Sequence, residues 1–449
     1  MNNVQLRDYQ KKAIASFFDH DGIGLFEMAT GTGKTITALS CVNQLFESGE
    51  GRQFLVIVVP YLHLIDQWKN YFSTFNMTSA IVIAKDKQRW MPQLKAAIWN
   101  YKHGYRQRVI VIGSYKSIAS SEFRHLIDTP LDHSFLLADE CHNIGQPSFL
   151  NHPLINFRYR LGLSATPKRW QDEMGTAQVY RYFNEPIYTF TMEEAIRKQF
   201  LTPYEYHPMI VDLTEGEKKK YMALTRKLIY LLNDKEKNAE QITQLCIRRG
   251  RILKRATYKI EALLQQLEQQ EDKRHTLIYC AEGEINRIIS ALAPLKLKVC
   301  RFNAELSHNE RQRILTQFAE GDIDILVAIK CLDEGVDVPA TKTAYFLAST
   351  SNPREFIQRR GRILRQSPHK SKAVIYDFVV LPKCDNEGLF DSIAKKEIPR
   401  CVEFSQFALN QYAARHILLQ QLAPYHLDHY MELDAEGMKQ FLEEKDIEF

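Results

Sequence analysis

The stretch EMATGTGKTITAL, residues 27–39, brings together residue types that can hold a phosphate. Gly31 and Gly33 flank Thr32, Thr30 precedes them, and Lys34 and Thr35 follow. Glycines let backbone N–H groups approach phosphate oxygens with no Cβ in the way. A lysine adds a point charge for the β- and γ-phosphates, and a threonine hydroxyl can ligate Mg²⁺. The pattern G-x-x-x-x-G-K-[ST] places its first glycine at 28, where this chain has Met28, so the pattern departs there while its G-K-T end is intact. The alternative is a glycine-rich turn with a surface lysine.

Four further stretches carry residues able to act with such a loop. FLLADECHNIG, residues 135–145, is an apolar run ending in Asp139 and Glu140. Carboxylates at the end of a buried parallel strand lie where α/β ligand sites form. There Asp139 would sit in a Mg²⁺ shell, and Glu140 would orient or deprotonate a water. RYRLGLSATPKRW, residues 158–170, ends a second run in Ser164, Ala165 and Thr166, where the Ser164 and Thr166 hydroxyls could form a relay or simply mark a strand exit. ILVAIKCLDEGVDVPATK, residues 325–342, offers Gly335 for close backbone approach and Asp337 for a ribose hydroxyl. EFIQRRGRILRQ lies in a cluster of arginines at 354, 359, 360, 362 and 365. On a continuous helix Gln358, Arg362 and Arg365 share a face, so two guanidiniums could be aimed at one anion. The alternative is a basic face for solvent or nucleic acid.

The elements that must position these residues are legible around them. GIGLFEM reads as a buried strand ahead of the glycines, and KTITALSCVNQLFE as a helix with apolar residues Ile36, Leu39, Val42, Leu45 and Phe46. Strand, loop and helix N-terminus together make an anion site. Residues 1–185 alternate apolar strands with amphipathic segments, which predicts a parallel sheet flanked by helices. Residues 186–270 read as a connecting segment with a helical insertion over 214–270, in which EGEKKKYMALTRKLIYLLNDKEKN and then CIRRGRILKRATYKIEALLQQLEQQ are amphipathic helices. The second of these carries basic residues over much of its surface, for a nucleic-acid backbone or for solvent. Residues 271–384 hold five strand candidates, HTLIYC, LKVCRFNA, IDILVAI, TAYFLAS and KAVIYDFVVL, with no second phosphate loop. Residues 385–449 read as a small helical C-terminal extension. Glu443 and Lys445 match half of an E-x-K nuclease pattern, but in a charged helix-like tail with no buried strand.

The bulk of the chain fits this plan. Its 449 residues suggest two or three domains, and 45% apolar with 25% charged residues is the composition of a soluble globular protein. Against 59 basic residues stand 54 acidic ones, a net charge of +5, so any basic footprint must be local. Eight cysteines form no C-x-x-C pair, which speaks against a zinc or iron–sulfur framework and for reduced thiols. No apolar signal core and no run of about 18 apolar residues is present, so the expectation is a cytoplasmic protein without a membrane partner.

Taken in order, the segments resemble the motifs of superfamily 2 helicases and translocases over residues 4–380. LRDYQKKAI resembles the adenine-reading segment, with Gln10 at its glutamine. GTGKT resembles motif I, VVPYLHLIDQW motif Ia, IGSYKSI motif Ib, DECH motif II and SAT motif III. TLIYC resembles motif IV, LDEGVDVP motif V and QRRGRILR motif VI. RLGLSATPKR and LDEGVDVP look most like XPB-type repair helicases and restriction-enzyme motor subunits, and His142 in the fourth place of motif II is similar to DExH proteins. Cys141 stands where alanine is common, a small residue expected to be tolerated.

The resemblance implies an α/β fold of two tandem RecA-like domains and an ATP hydrolase that uses Mg²⁺. Lys34, Asp139, Glu140, Gln358, Arg362 and Arg365 are then the catalytic set. Gln10, Thr30, Gly31, Thr32, Gly33, Lys34, Thr35, Gly335 and Asp337 would bind the nucleotide, and Thr35 and Asp139 the metal. The implied partner is nucleic acid, DNA in preference to RNA, with protein subunits completing the system. An RNA helicase and an ATP-gated clamp that does not unwind stay open beside this reading.

Overall fold

The computed structural model describes residues 5–444 apart from 50, 78, 155, 234, 304, 330–337, 349, 351 and 369. The chain forms two compact units, Met1–Lys198 and Gln199–Phe449.

The first unit is built on a seven-stranded sheet. Its strands are β1 (Ile23–Met28), β2 (Gln53–Val59), β3 (Ile81–Ile83), β4 (Arg108–Ser114), β5 (Ser134–Asp139), β6 (Tyr159–Ser164) and β7 (Pro186–Phe190). They run in the order β3-β4-β2-β5-β6-β1-β7, and every pairing is parallel. Every residue of β2 is buried, as a strand covered on both faces requires. Alternate residues serve the two faces. Phe54, Val56, Val58 and Leu136 join one core with Trp90, Leu94 and Tyr101 of the helix Lys87–Lys102 and with Val179 and Phe183 of the helix Glu173–Phe183. Phe26 and Phe135, of opposite parity, meet Phe17 of the helix Asp8–Asp19 with ring centroids 6.5 and 5.7 Å away.

The second unit holds a six-stranded sheet. Its strands are β8 (Tyr204–Val211), β9 (Thr276–Tyr279), β10 (Val299–Phe302), β11 (Ile325–Ala328), β12 (Thr343–Phe346) and β13 (Ala373–Val380). The order is β10-β11-β9-β12-β13-β8, again all parallel. The fold class is therefore the expected one, two parallel-sheet α/β units with added helices.

The boundaries differ from the sequence reading. Strand β7 pairs with β1, so the first unit extends beyond 185, and β8 pairs along its whole length with β13. The stretch 186–270 is thus not a connector only, because it supplies an edge strand to each sheet. Its insertion is a pair of helices, Glu215–Leu232 and Lys235–Lys254, joined by a small core of Leu228, Leu231 and Leu245. Thr214 and Glu217 cap the first helix reciprocally. The expected single helix from 246 to 270 is broken, since a new helix starts at Tyr258. There Thr257 donates its N–H and its hydroxyl to Glu217 Oε1 at 3.0 and 2.8 Å.

The C-terminal helices belong to the second unit's core. Arg400 of the helix Glu387–Ser405 donates to Asp377 Oδ2 of β13 at 2.8 Å and to Glu397 Oε2 at 2.9 Å. Tyr206 of β8 donates to the same Asp377 carboxylate at 3.1 Å. Among the described residues no helix is long and apolar enough to cross a membrane.

Candidate functional site

Three loops of the first unit leave the C-terminal ends of β1, β5 and β6, which lie side by side in the sheet. In a parallel α/β sheet this is the edge where ligands bind.

After β1 the chain turns through Gly31 and Gly33, both at φ +83°, a left-handed conformation that glycine adopts without strain. Gly33 also has no room to spare, because a Cβ there would lie 2.8 Å from Gln10 Nε2. The helix Lys34–Ser48 follows at once, and its first bond of this kind is Thr37 N to Gly33 O at 3.1 Å. The N–H groups of Lys34, Thr35 and Ile36 therefore lie at an open helix N-terminus, where an anion is favoured. Lys34 Nζ donates to Met28 O at 3.1 Å, which folds the side chain back over the loop. Thr32 donates to Ala29 O at 2.7 Å. Thr30 Oγ1 is buried with no hydrogen-bond partner among the described residues. A buried hydroxyl of this kind, beside open N–H groups and a lysine, fits a triphosphate.

The helix Asp8–Asp19 is tied to this loop by adjacent residues. Gln10 accepts from Arg7 N at 2.9 Å and donates to Gly33 O at 3.4 Å. Tyr9, which sequence reasoning passed over, donates to Thr32 O at 2.5 Å and stacks on Phe190 of β7 at 4.1 Å. The aromatic before the glutamine in the DYQ stretch was its only signal.

Asp139 ends β5 and Glu140 follows at φ +48°, a strained conformation for a residue with a side chain. Burial, followed by the neighbouring Glu140 charge, pushes the Asp139 carboxyl up to about 6, against the pull of Lys34. A divalent cation would favour its ionised form, so the donor set of Asp139 with the Thr35 hydroxyl fits Mg²⁺. Asp139 Oδ2 accepts from Trp68 Nε1 at 3.1 Å. Tyr115 donates its hydroxyl to Asp139 O at 2.7 Å, with Glu140 O at 3.3 Å. Asn143 Nδ2 donates to Glu140 O at 2.9 Å. Both Trp68 and Tyr115 stand in stretches quoted as motifs, but nothing in their spacing indicated a contact with Asp139.

Glu140 Oε2 lies 3.4 Å from Ser164 Oγ and 3.4 Å from His142 Nδ1. Thr166 N donates to Ser164 Oγ at 3.1 Å, so the loop after β6 touches the carboxylate through its serine. Arg169 joins the same two loops, donating to His142 O at 2.9 Å. Cys141 points away from them into the sheet. A Cβ on Gly162 of β6 would meet its Cβ and Sγ at 3.0 Å.

In the second unit the arginine cluster divides. Arg359 and Arg360 on the helix Pro353–Ile363 are buried and serve the unit itself. Arg360 donates to Glu403 Oε1 and Glu403 O, both at 2.7 Å, and to Tyr204 Oη at 3.2 Å. Arg359 donates to Ala348 O at 3.3 Å. Gln358 and Arg362 are half-buried one turn apart on the same helix. The expected helical face extending to Arg365 is corrected, because the helix ends at Ile363. Thr202 N captures Leu364 O at 2.7 Å, Thr202 Oγ1 donates to Arg365 O at 3.3 Å, and half-buried Lys370 donates to the carbonyls of Ile363, Arg365 and Pro339. These donors replace the intrahelical bonds that would have continued the helix. Gly335 and Asp337 lie outside the described residues.

A parallel sheet with a phosphate loop at β1 and an Asp-Glu pair at β5 defines the class as a P-loop nucleotide hydrolase. The family described as "Type III restriction enzyme, res subunit" matches residues 3–169, and the "Helicase conserved C-terminal domain" matches residues 258–367. The chain is 25% identical over 385 residues to the DNA 3'-5' translocase XPB2 of Sulfurisphaera tokodaii, covering 81% of this chain and 80% of that protein. It is 25% identical over 374 residues to a putative DNA 3'-5' helicase Rad25 of Halobacterium salinarum, of which it spans 52%. The fold matches an ATP-dependent Type ISP restriction-modification enzyme, LlaBIII, solved bound to DNA, with a TM-score of 0.60 at 16% identity over 90% of this chain. The chain spans 31% of that enzyme's length. This protein belongs to the superfamily 2 helicases and translocases and is an ATP-hydrolysing member of them.

Proposed function

We propose that the protein is a DNA translocase or helicase that couples ATP hydrolysis to movement along DNA. The observation that carries this is the convergence of the 30–35 loop, Asp139, Glu140 and Ser164 at the ends of β1, β5 and β6. In this reading Gln10 recognises adenine while its amide holds Gly33 O, and residues 30–35 cradle the triphosphate. Thr35 and Asp139 hold Mg²⁺, which neutralises phosphate charge when bound. Glu140 orients the attacking water, with Ser164 and His142 fixing its carboxylate. Gln358, Arg362 and Arg365 act from the second unit on the developing phosphoryl charge, and Gly335 and Asp337 hold the ribose. In this reading the protein is a DExH-type member, which His142 three residues after Asp139 supports.

DNA is preferred to RNA as the track because the relatives XPB2 and Rad25 carry DNA 3'-5' activities in their names, which also suggests 3'-to-5' movement here. Contacts to the track are to its phosphates, so binding is sequence-tolerant and weakens with salt. The match covers 90% of this chain and 31% of the restriction enzyme it resembles in fold. In this reading the motor works in the cytoplasm with partner subunits, in repair or in defence against foreign DNA.

The test is the steady-state ATPase rate with single-stranded DNA, duplex DNA, RNA or no nucleic acid, in the wild type and Glu140→Gln. DNA should stimulate hydrolysis, and the variant should lose about 10²–10⁴-fold while still binding nucleotide. Stimulation by RNA alone would make it an RNA helicase. Binding of nucleic acid in ATP with no stimulated turnover would make it a clamp.

A further inference from the structure

Trp68 and Tyr115 reach the nucleotide site from outside it. Strands β4, β2 and β5 are neighbours in that order, so the segments leaving β4 and β2 end beside Asp139. The β2 segment has two sides. Tyr61 and Leu62 are exposed, and Tyr61 stacks on His63 at 5.6 Å. Lys69 is exposed on the helix Leu64–Asn70. On the inner side of the same helix Trp68 is 3% exposed, and its indole N–H donates to Asp139 Oδ2 at 3.1 Å. The β4 segment repeats the arrangement. Lys116 is exposed on the short helix Tyr115–Ile118, while Tyr115 is buried and its hydroxyl holds the carbonyls of Asp139 and Glu140.

Each segment therefore offers one exposed lysine, Lys69 lying 3.7 Å from Asp66, and in one case stacked rings, to solvent, and a hydrogen-bond donor to the Asp-Glu pair. The outer groups suit a nucleic-acid strand, lysines for phosphate and the Tyr61–His63 stack for a base or sugar. The inner donors set two properties that hydrolysis needs, the lone pair that Asp139 presents and the strained backbone of Glu140. A shift of the helix Leu64–Asn70 moves the donor to the Asp139 carboxylate, and a shift of Tyr115–Ile118 moves the donor to the two carbonyls.

We propose that Trp68 and Tyr115 are positioning residues that convert occupancy of this outer surface by nucleic acid into alignment of Asp139 and Glu140, and so carry the nucleic-acid stimulation of hydrolysis. This rests on the nucleic-acid reading above and names how that reading regulates the site. Neither residue touches nucleic acid, so its loss should separate binding from stimulation.

The experiment uses the full chain with Trp68→Phe, which keeps an aromatic ring and removes the donor. Three readouts are taken: the ratio of DNA-stimulated to unstimulated ATPase, DNA affinity by fluorescence anisotropy, and the difference in tryptophan emission between wild type and variant on adding Mg²⁺ with a non-hydrolysable nucleotide. The ratio should fall about tenfold, DNA affinity should stay within about threefold, and the Trp68 emission should change when Mg²⁺ and nucleotide bind. A preserved ratio, an affinity that falls in step with it, or a silent Trp68 emission overturns the proposal. Should Trp68→Phe lower the melting temperature, Tyr115→Phe, which loses one hydroxyl, decides by the same ratio. A wild type that no nucleic acid stimulates removes the nucleic-acid reading itself, and the proposal falls with it.

Discussion

Adjacent arginines in the QRRGR stretch should fail in different ways when truncated. Arg360 is 1% exposed, with its guanidinium on the Glu403 carboxylate and backbone at 2.7 Å and on Tyr204 Oη at 3.2 Å. Burial alone would lower its pKa, but Tyr204 and Glu403 hold the charge and raise it. Breaking a buried pair from one side costs about 3–5 kcal/mol, because the other charge is left behind. The Glu403 side chain keeps 20% of its exposure and can regain some water, which places Arg360→Met at the lower end, about 3 kcal/mol. At about 2–4 °C per kcal/mol for a unit of this size, the second unit should melt about 6–12 °C lower. Arg362→Met removes a half-buried guanidinium from the same helix. Because that side chain is only half-buried, the variant should lower melting less than Arg360→Met does, and it should reduce stimulated ATP hydrolysis by about 10³-fold, the scale of a lost arginine finger. Thermal melting followed by tryptophan fluorescence, with ATPase rates measured well below the transition, separates the two. The reasoning is refuted if Arg360→Met melts with the wild type, or if Arg362→Met melts early while hydrolysing normally.

Tyr9→Phe removes the hydroxyl that Thr32 O accepts at 2.5 Å, and the loss of about 1 kcal/mol should weaken nucleotide binding about fivefold in a fluorescent-nucleotide titration. An unchanged affinity would show that Tyr9 serves packing alone. Lys370 donates to three carbonyls, and burial pushes its ammonium from 10.5 down to about 7. Between those values the unfolded chain keeps a proton that the folded unit has released, so stability rises with pH from about 7 towards 10.5. Lys259 and Lys396, lowered by burial to about 8, act in the same direction. The second unit should melt higher at pH 9 than at pH 7, and Lys370→Met should reduce that rise. An equal rise in both proteins would mean that Lys370 does not titrate there.

The long apolar runs specified their strands, because a strand buried on both faces has no polar alternative to signal. Thus β1, β5 and β9 stand where GLFEM, FLLAD and TLIY lie. Strand β8 was missed, since YEYHPMIV mixes polar and apolar residues and contains Pro208, as an edge strand can. The helix end at Ile363 was equally hidden. RRGRILRQ continues the helical pattern, and the donors that stop it come from Thr202 and Lys370.

The sequence by itself determined the chemistry available to this protein. GTGKT, the Asp-Glu pair and the arginine cluster are local patterns, each sufficient to place a residue type at a strand or helix end. Only the tertiary structure decided which of those residues meet and which are consumed by packing. Arg360 and Arg362 are indistinguishable in one dimension, yet one is locked onto Glu403 and Tyr204 because strand order carries β8 and the helix Glu387–Ser405 to its side. Nothing in their own segments sets Trp68 and Tyr115 apart as donors. They become donors to Asp139 and Glu140 because β4, β2 and β5 are neighbours, an adjacency set by long-range pairing rather than by any local spacing.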